Sequence, residues 1–178
     1  MRPLADALVH IGADVFVPDW EWTAPDWGRG ELLASLASAA TVADNRPLIV
    51  IGWSLGGTAA LSLASLAHYE VTALVGLAAD CEAQSPLTGR LLDANAVRAA
   101  SAYLVHGSED PVVPVSGSIR FAGDSDASLT VLSTDHAGVI GCEYDRGAGT
   151  CLPSDRDPAR RGLRASVRAI QKAALRQG

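Results

Sequence analysis

Lysine is all but missing from this 178-residue chain: Lys172 is the only one, and every other basic side chain is arginine. A phosphate-binding loop ending in Gly-Lys-Ser/Thr is therefore excluded anywhere before the final helix. Positive charge is also in deficit, with 20 Asp and Glu against 14 Lys and Arg, for a formal net charge of −6. Such a field repels phosphate backbones, so no nucleic acid is expected as a partner. Cysteine occurs three times, at Cys81, Cys142 and Cys151, with no C-x-x-C pair. The odd count argues against a full disulfide framework; Cys142 and Cys151, which share a Gly-rich stretch, are the pair that would bridge in an exported chain. Reduced thiols in a cytoplasmic protein are the expectation. No apolar run approaches the ~20 residues of a membrane span. The opening Met1-Arg2-Pro3-Leu4-Ala5-Asp6 does not read as a secretory leader, because Asp6 interrupts it. Neither a G-x-G-x-x-G nor a His/Cys/Asp cluster at ligand spacing occurs, so no dinucleotide, metal or other cofactor is expected. What is present is 48% hydrophobic and 19% charged residues. That suffices for one packed core, and a single domain over 1–178 is expected.

Hydrophobic period and turn residues alternate along the chain. Residues 3–11 place Leu4, Leu8 and Ile11 on one helical face, with Gly12 as a stop. Ala13-Asp14-Val15-Phe16-Val17 reads as a short strand ended by Pro18. A helix is predicted at 29–42 on Leu32, Leu33, Leu36 and Ala40. Pro47-Leu48-Ile49-Val50-Ile51-Gly52 is a continuous apolar run, the mark of a strand buried on both faces. A helix over 55–68, a buried strand over 71–77 and strands near 102–106 and 129–133 follow. Asp157 is expected to cap the last helix, with Pro158 in its first turn and Leu163, Val167, Ile170 and Ala174 as its buried stripe. Arg160, Arg164, Arg168, Lys172 and Arg176 repeat on the opposite face, which reads as the solvated side. This alternation predicts an α/β fold, a mostly parallel sheet of about five strands with helices on both faces.

The chemistry concentrates at Gly52-Trp53-Ser54-Leu55-Gly56-Gly57, a G-x-S-x-G motif with a buried strand before it and an apolar helix after it. So sharp a turn crowds the positions flanking the serine, and Gly52 and Gly56 keep side chains out of the way. Ser54 is thereby raised as a nucleophile, and the N–H of Leu55 faces the place where an oxyanion would form. A serine at its ordinary pKa needs a base and an orienting acid. Of four histidines, His10 and His68 fall at the wrong edge of the sheet, and His106 suits a structural bond at a strand end. His136, in the loop after the last strand, is the expected base. Asp110 is the expected acid, in a loop stiffened by Pro111 and Pro114; Glu109 and Asp135 are its rivals. The chain order Ser54, Asp110, His136 is the one found in α/β-hydrolases.

These residues, with His106-Gly107-Ser108-Glu109-Asp110-Pro111-Val112-Val113-Pro114 and Asp135-His136, resemble the α/β-hydrolase superfamily over most of the chain. Only about two dozen residues separate the strand near Leu77 from the one at Ala102, too few for a full lid domain. The chain is thus similar to small lidless esterases and dienelactone-hydrolase-like proteins, with serine where the dienelactone type carries cysteine. The resemblance implies hydrolysis of a small ester or thioester through an acyl-enzyme, with Ser54, His136 and Asp110 as the triad. In that family a strand and loop before the first helix supply the second oxyanion donor. Here the sequence begins inside that helix, so Met1 is expected not to be the natural start. The alternative is that the strands at 13–17 and 47–52 pair directly. A hydrolase-fold binding protein without turnover, and an amide hydrolase, stay open as other readings. Trp20, Trp22 and Trp27 follow a strand end and, with Trp53, are candidates for walling a substrate pocket.

Overall fold

The computed structural model describes residues 2–44, 46–66, 71–145, 147–148 and 150–175. Four parallel strands, β1 (Ile49–Trp53), β2 (Ala73–Leu77), β3 (Ala102–Gly107) and β4 (Ser128–Leu132), lie side by side in sequence order. Every residue of β2 and β3 is buried, whereas β4 is largely exposed, as central and edge strands require. Alternate side chains divide the core in two. Ala73, Val75, Leu77, Tyr103 and Val105 point to one face, where Leu4 and Leu8 of α1 (Arg2–His10) and Ile170 and Ala173 of α6 (Asp157–Leu175) cover them. Leu74, Ala102 and Leu104 point to the other. There they meet Leu61 of α3 (Leu55–Ser62), Val97 of α4 (Ala94–Arg98), Phe121 of α5 (Val115–Ser125) and the leucines of α2 (Arg29–Ala43). A short antiparallel hairpin, β5 (Cys142–Asp145) with β6 (Thr150–Pro153), precedes α6. The segment between β2 and β3 packs Leu87 and Val97 into the core. No helix among the described residues is long and apolar enough to cross a membrane.

The strand expected at 13–17 does not form, so among the described residues the parallel sheet has four strands instead of about five. Val15 rests against the core and Asp14 pairs with Arg46 at 2.5 Å, but Phe16 and Val17 are exposed. A β-rich segment becomes a strand only beside a partner, and no strand pairs with it among the described residues. Nor do 13–17 and β1 pair. Thr72 N donates to Leu48 O and Ser54 N to Leu77 O, so the even-numbered residues of β1 face β2. Ile49, Ile51 and Trp53 therefore turn their backbone groups to an outer edge that carries no strand among the described residues.

Two further expectations shift. Asp157 opens α6 as its first helical residue, its carboxylate on Arg160 Nη2 at 2.7 Å, instead of capping the helix. The buried face of α6 is Ala159, Gly162, Ser166, Ala169, Ile170 and Ala173, with Leu163 and Val167 at its margin and Ala174 exposed. Small residues win because the helix lies directly on the 138–140 turn. A Cβ on Gly162 would sit 2.2 Å from Gly138 O, and Ser166 Oγ donates to Val139 O at 2.6 Å. Arg160, Arg164, Arg168 and Lys172 are exposed, as expected of a solvated side; Arg176 and His68 lie outside the described residues. Gly162→Ala should therefore lower stability by about 1–3 kcal/mol through overpacking. Gly123→Ala, in α5 with nothing within 4 Å, should raise it by about 0.5–1 kcal/mol. Urea unfolding of the two variants checks this, and equal effects would refute it.

Candidate active site

The turn between β1 and α3 is built by close backbone contact. A Cβ on Gly52 would stand 1.9 Å from Gly56 O, and one on Gly57 would stand 2.8 Å from Ala79 Cβ. A Cβ on Gly56 would meet only the Trp20 ring, at 3.4 Å, so the crowded pair is Gly52 and Gly57, not Gly52 and Gly56. Ser54 adopts φ 56° and ψ −127°, a conformation that costs a non-glycine residue on the order of 1–3 kcal/mol. It is held there by Ser54 N on Leu77 O at 2.9 Å and by Gly57 N on Ser54 O at 2.9 Å. The N–H groups of Leu55 and Gly56, the first two of α3, have no helical acceptor, as every helix start requires.

Asp110 follows β3. Its Oδ1 accepts from the amides of Val112 and Val113 at 2.8 and 2.9 Å, and its Oδ2 accepts from His136 Nδ1 at 2.7 Å. The side chain is fully buried, and His106 Nε2 also stands 3.2 Å from Oδ2. Burial alone would raise its pKa. The contacts from His106, His136 and the two amides outweigh that and hold the carboxyl well below the usual carboxylate range. An ionised Asp110 places the proton of His136 on Nδ1 and leaves Nε2 as the basic nitrogen. His136 is buried, its ring 4.9 Å from that of Trp53 and 6.1 Å, edge-on, from that of Tyr144. Trp53 Nε1 donates to His136 O at 2.9 Å.

The structure thus brings His136 onto Asp110 and beside the residue that precedes Ser54. Ser54 Oγ itself makes no hydrogen bond among the described residues. The rival acids are engaged elsewhere: Glu109 accepts from Ser133 Oγ, and Asp135 accepts from the amides of Ala137 and Gly138. Sequence reasoning missed the indole bond of Trp53, the Tyr144 edge and the contact of His106 with Asp110. Only the last had a signal, the four-residue spacing within one motif.

Trp20 donates Nε1–H to Trp27 O at 2.6 Å, and its ring covers Gly56, two residues past Ser54. With Asp19, Glu21 and Glu31 it lines an open depression of about 300 Å³. Trp22 and Trp27 are exposed, and Trp53 is committed to His136. Cys142 and Cys151 are both free thiols; in the hairpin Cys142 faces Pro153 and Cys151 faces Tyr144. Burial pushes the Cys81 thiol up to about 11, away from reactivity. Among the described residues no group of three or more His, Cys, Asp or Glu is placed to hold a metal ion.

No protein-family model matches the sequence, and no curated protein matches it. Solved structures do. A putative hydrolase of the α/β superfamily from Xanthomonas campestris pv. campestris superposes at TM-score 0.63 with 21% identity, over 96% of this chain and 88% of that one. A lidless α/β serine hydrolase from Xanthomonas campestris gives 0.62 and 16%, over 98% and 72%. A carboxylesterase from Lactobacillus plantarum gives 0.57 and 15%, over 98% and 79%. The fold is that of the α/β-hydrolases.

A carboxyl held low when folded adds stability that is complete above its unfolded value near ~3.9 and is lost as pH falls through the folded value. Asp110→Asn should therefore flatten the decline in stability between about pH 4 and pH 2. Urea midpoints across that range measure it; an acid slope equal to that of the parent protein would count against the assignment.

Proposed function

We propose that this chain is a serine hydrolase that cleaves a small ester or thioester through an acyl-enzyme. The observation that carries the reading is the buried Asp110–His136 pair, set beside the strained turn that holds Ser54. Ser54 Oγ attacks the carbonyl carbon while His136 Nε2 takes its proton, and Asp110 holds the imidazolium that forms. The Leu55 N–H bonds the oxyanion, an interaction typically worth ~10²–10³ in turnover. His136 then returns the proton to the leaving alcohol or thiol. Water, deprotonated by His136, releases the acid and restores Ser54. The step asks for no cofactor or metal, and a small-molecule ester is the proposed partner. The Ser54–His136 bond is the one link formed on substrate binding, since such bonds are commonly long in free enzymes.

Trp20 and Trp22 are proposed to border the acyl group, on the strength of the Trp20 ring lying over Gly56. Three unpaired thiols favour a reducing compartment, and the cytoplasm is the proposed location. A second reading, a binding protein of this fold without turnover, draws on Ser54 Oγ standing unbonded. A fluorophosphonate separates the two. Intact-mass spectrometry should show one adduct on the chain and none on Ser54→Ala, with hydrolysis of short-chain p-nitrophenyl esters falling at least ~10³-fold in the variant. Folded protein that takes no adduct would favour the binding reading.

A further inference from the structure

We infer that His106 is a positioning residue for this reaction: with Ser118 it fixes the Asp110 carboxylate in the orientation that aligns His136. The inference rests on the hydrolase reading above. His106 ends the central strand β3 and is fully buried. A buried imidazole is tolerated only when both nitrogens are bonded. Nε2 stands 3.0 Å from Val113 O and 3.2 Å from Asp110 Oδ2, both of them acceptors only. The ring hydrogen therefore sits on Nε2, and Nδ1 presents a lone pair. Ser118, on α5, answers it by donating its hydroxyl at 2.7 Å. Ser118 Oγ in turn lies 3.7 Å from Cys81 Sγ.

One imidazole thus grips both ends of the acid's turn. It holds the Val113 carbonyl of the segment whose amides bind Oδ1, and it touches Oδ2, the oxygen that takes His136. Ser118 locks the ring, because a flipped tautomer would set a lone pair against a carboxylate and a carbonyl. A histidine that served packing alone would have no reason to stand 3.2 Å from the oxygen engaged with His136 while its N–H holds the Val113 carbonyl. The N–H also draws charge from Oδ2. Without it the carboxylate is freer to rotate and more basic, which lowers turnover and favours the imidazolium of His136. The other ionisable groups around the pair are Glu109 beside Asp110, Asp135 beside His136, Tyr144 from β5 and Cys81 behind Ser118.

The test compares the full chain with His106→Phe, His106→Gln and Ser118→Ala. Active sites are counted with a fluorophosphonate, and p-nitrophenyl acetate hydrolysis is measured from pH 5 to pH 9. Expected for His106→Phe are kcat per labelled site reduced ~10-fold or more, KM within about 2-fold, and the acid limb of kcat/KM moved upward. His106→Gln keeps a donor near Nε2 and should recover most of the rate. Ser118→Ala, which unlocks the ring, should fall between. If His106→Phe does not fold, the Gln and Ala variants carry the same readings. An unchanged rate per site and an unmoved acid limb in the folded variants would overturn the inference while leaving the hydrolase reading intact. A parent protein that is not labelled at Ser54 would overturn both.

Discussion

At Gly52 and Gly107 the backbone comes so close to another segment that a single methyl group has no room. The first contact folds α3 back over β1 and makes the turn at Ser54. The second is at the end of β3, where a Cβ on Gly107 would stand 2.2 Å from Thr134 O and 2.8 Å from Asp135 O. That approach presses the loop after β4 onto the start of the loop after β3, and so lays His136 against Asp110. Ser108 N on Leu132 O and Glu109 N on Thr134 O fasten the same junction at 2.8 and 3.1 Å. Both halves of the candidate site therefore depend on main chain meeting main chain. Side-chain packing elsewhere can adjust by repacking, but these two contacts have no rotamer to change.

The strain at Ser54 is stable because its surroundings leave no alternative. Its N–H and C=O are both taken, by β2 and by α3, and Ala78 at the end of β2 shares the positive φ, at 46°. Thr58, fully buried in α3, donates to Asp80 O at 2.8 Å and ties the helix to the loop after β2. Asp110 follows the same logic in electrostatic form. A buried carboxylate is costly alone, and three hydrogen-bond donors on its two oxygens, with the His106 ring 3.2 Å away, offset that cost while forbidding rotation.

Much of this was legible in the sequence because it is local. The glycines around Ser54, the apolar runs of β1 to β3 and the Asp-Pro-Val-Val-Pro turn each state their own conformation. Asp110 and His136 could be chosen by loop position because α/β sites form at the carboxyl ends of strands. What depended on a distant partner was not legible. The 13–17 segment has strand composition and no strand paired with it among the described residues. The buried stripe of α6 follows a glycine contact with residue 138, so small residues displaced the larger apolar ones that periodicity favours. His106 looked structural because nothing in its neighbourhood reveals which carboxylate oxygen its ring reaches.

The bond from Trp53 to His136 shows what the four-stranded sheet demands of its loops. β1 and β4 are opposite edges, and the histidine that follows β4 rests against the last residue of β1. The chain between them must cross the carboxyl ends of β3 and β2. Two parallel strands lie about 4.8 Å apart, so this crossing spans roughly 14 Å. A free loop of that reach would be mobile. Here its far end is anchored, because Ala137, Val139 and Ile140 are fully buried between the sheet and α6. The outer edge of β1 has no ladder among the described residues, and the Trp53 indole ties β1 to the loop after β4. A side chain one residue before Ser54 thus binds the backbone of His136, so that any shift of the edge strand carries Ser54 and His136 together.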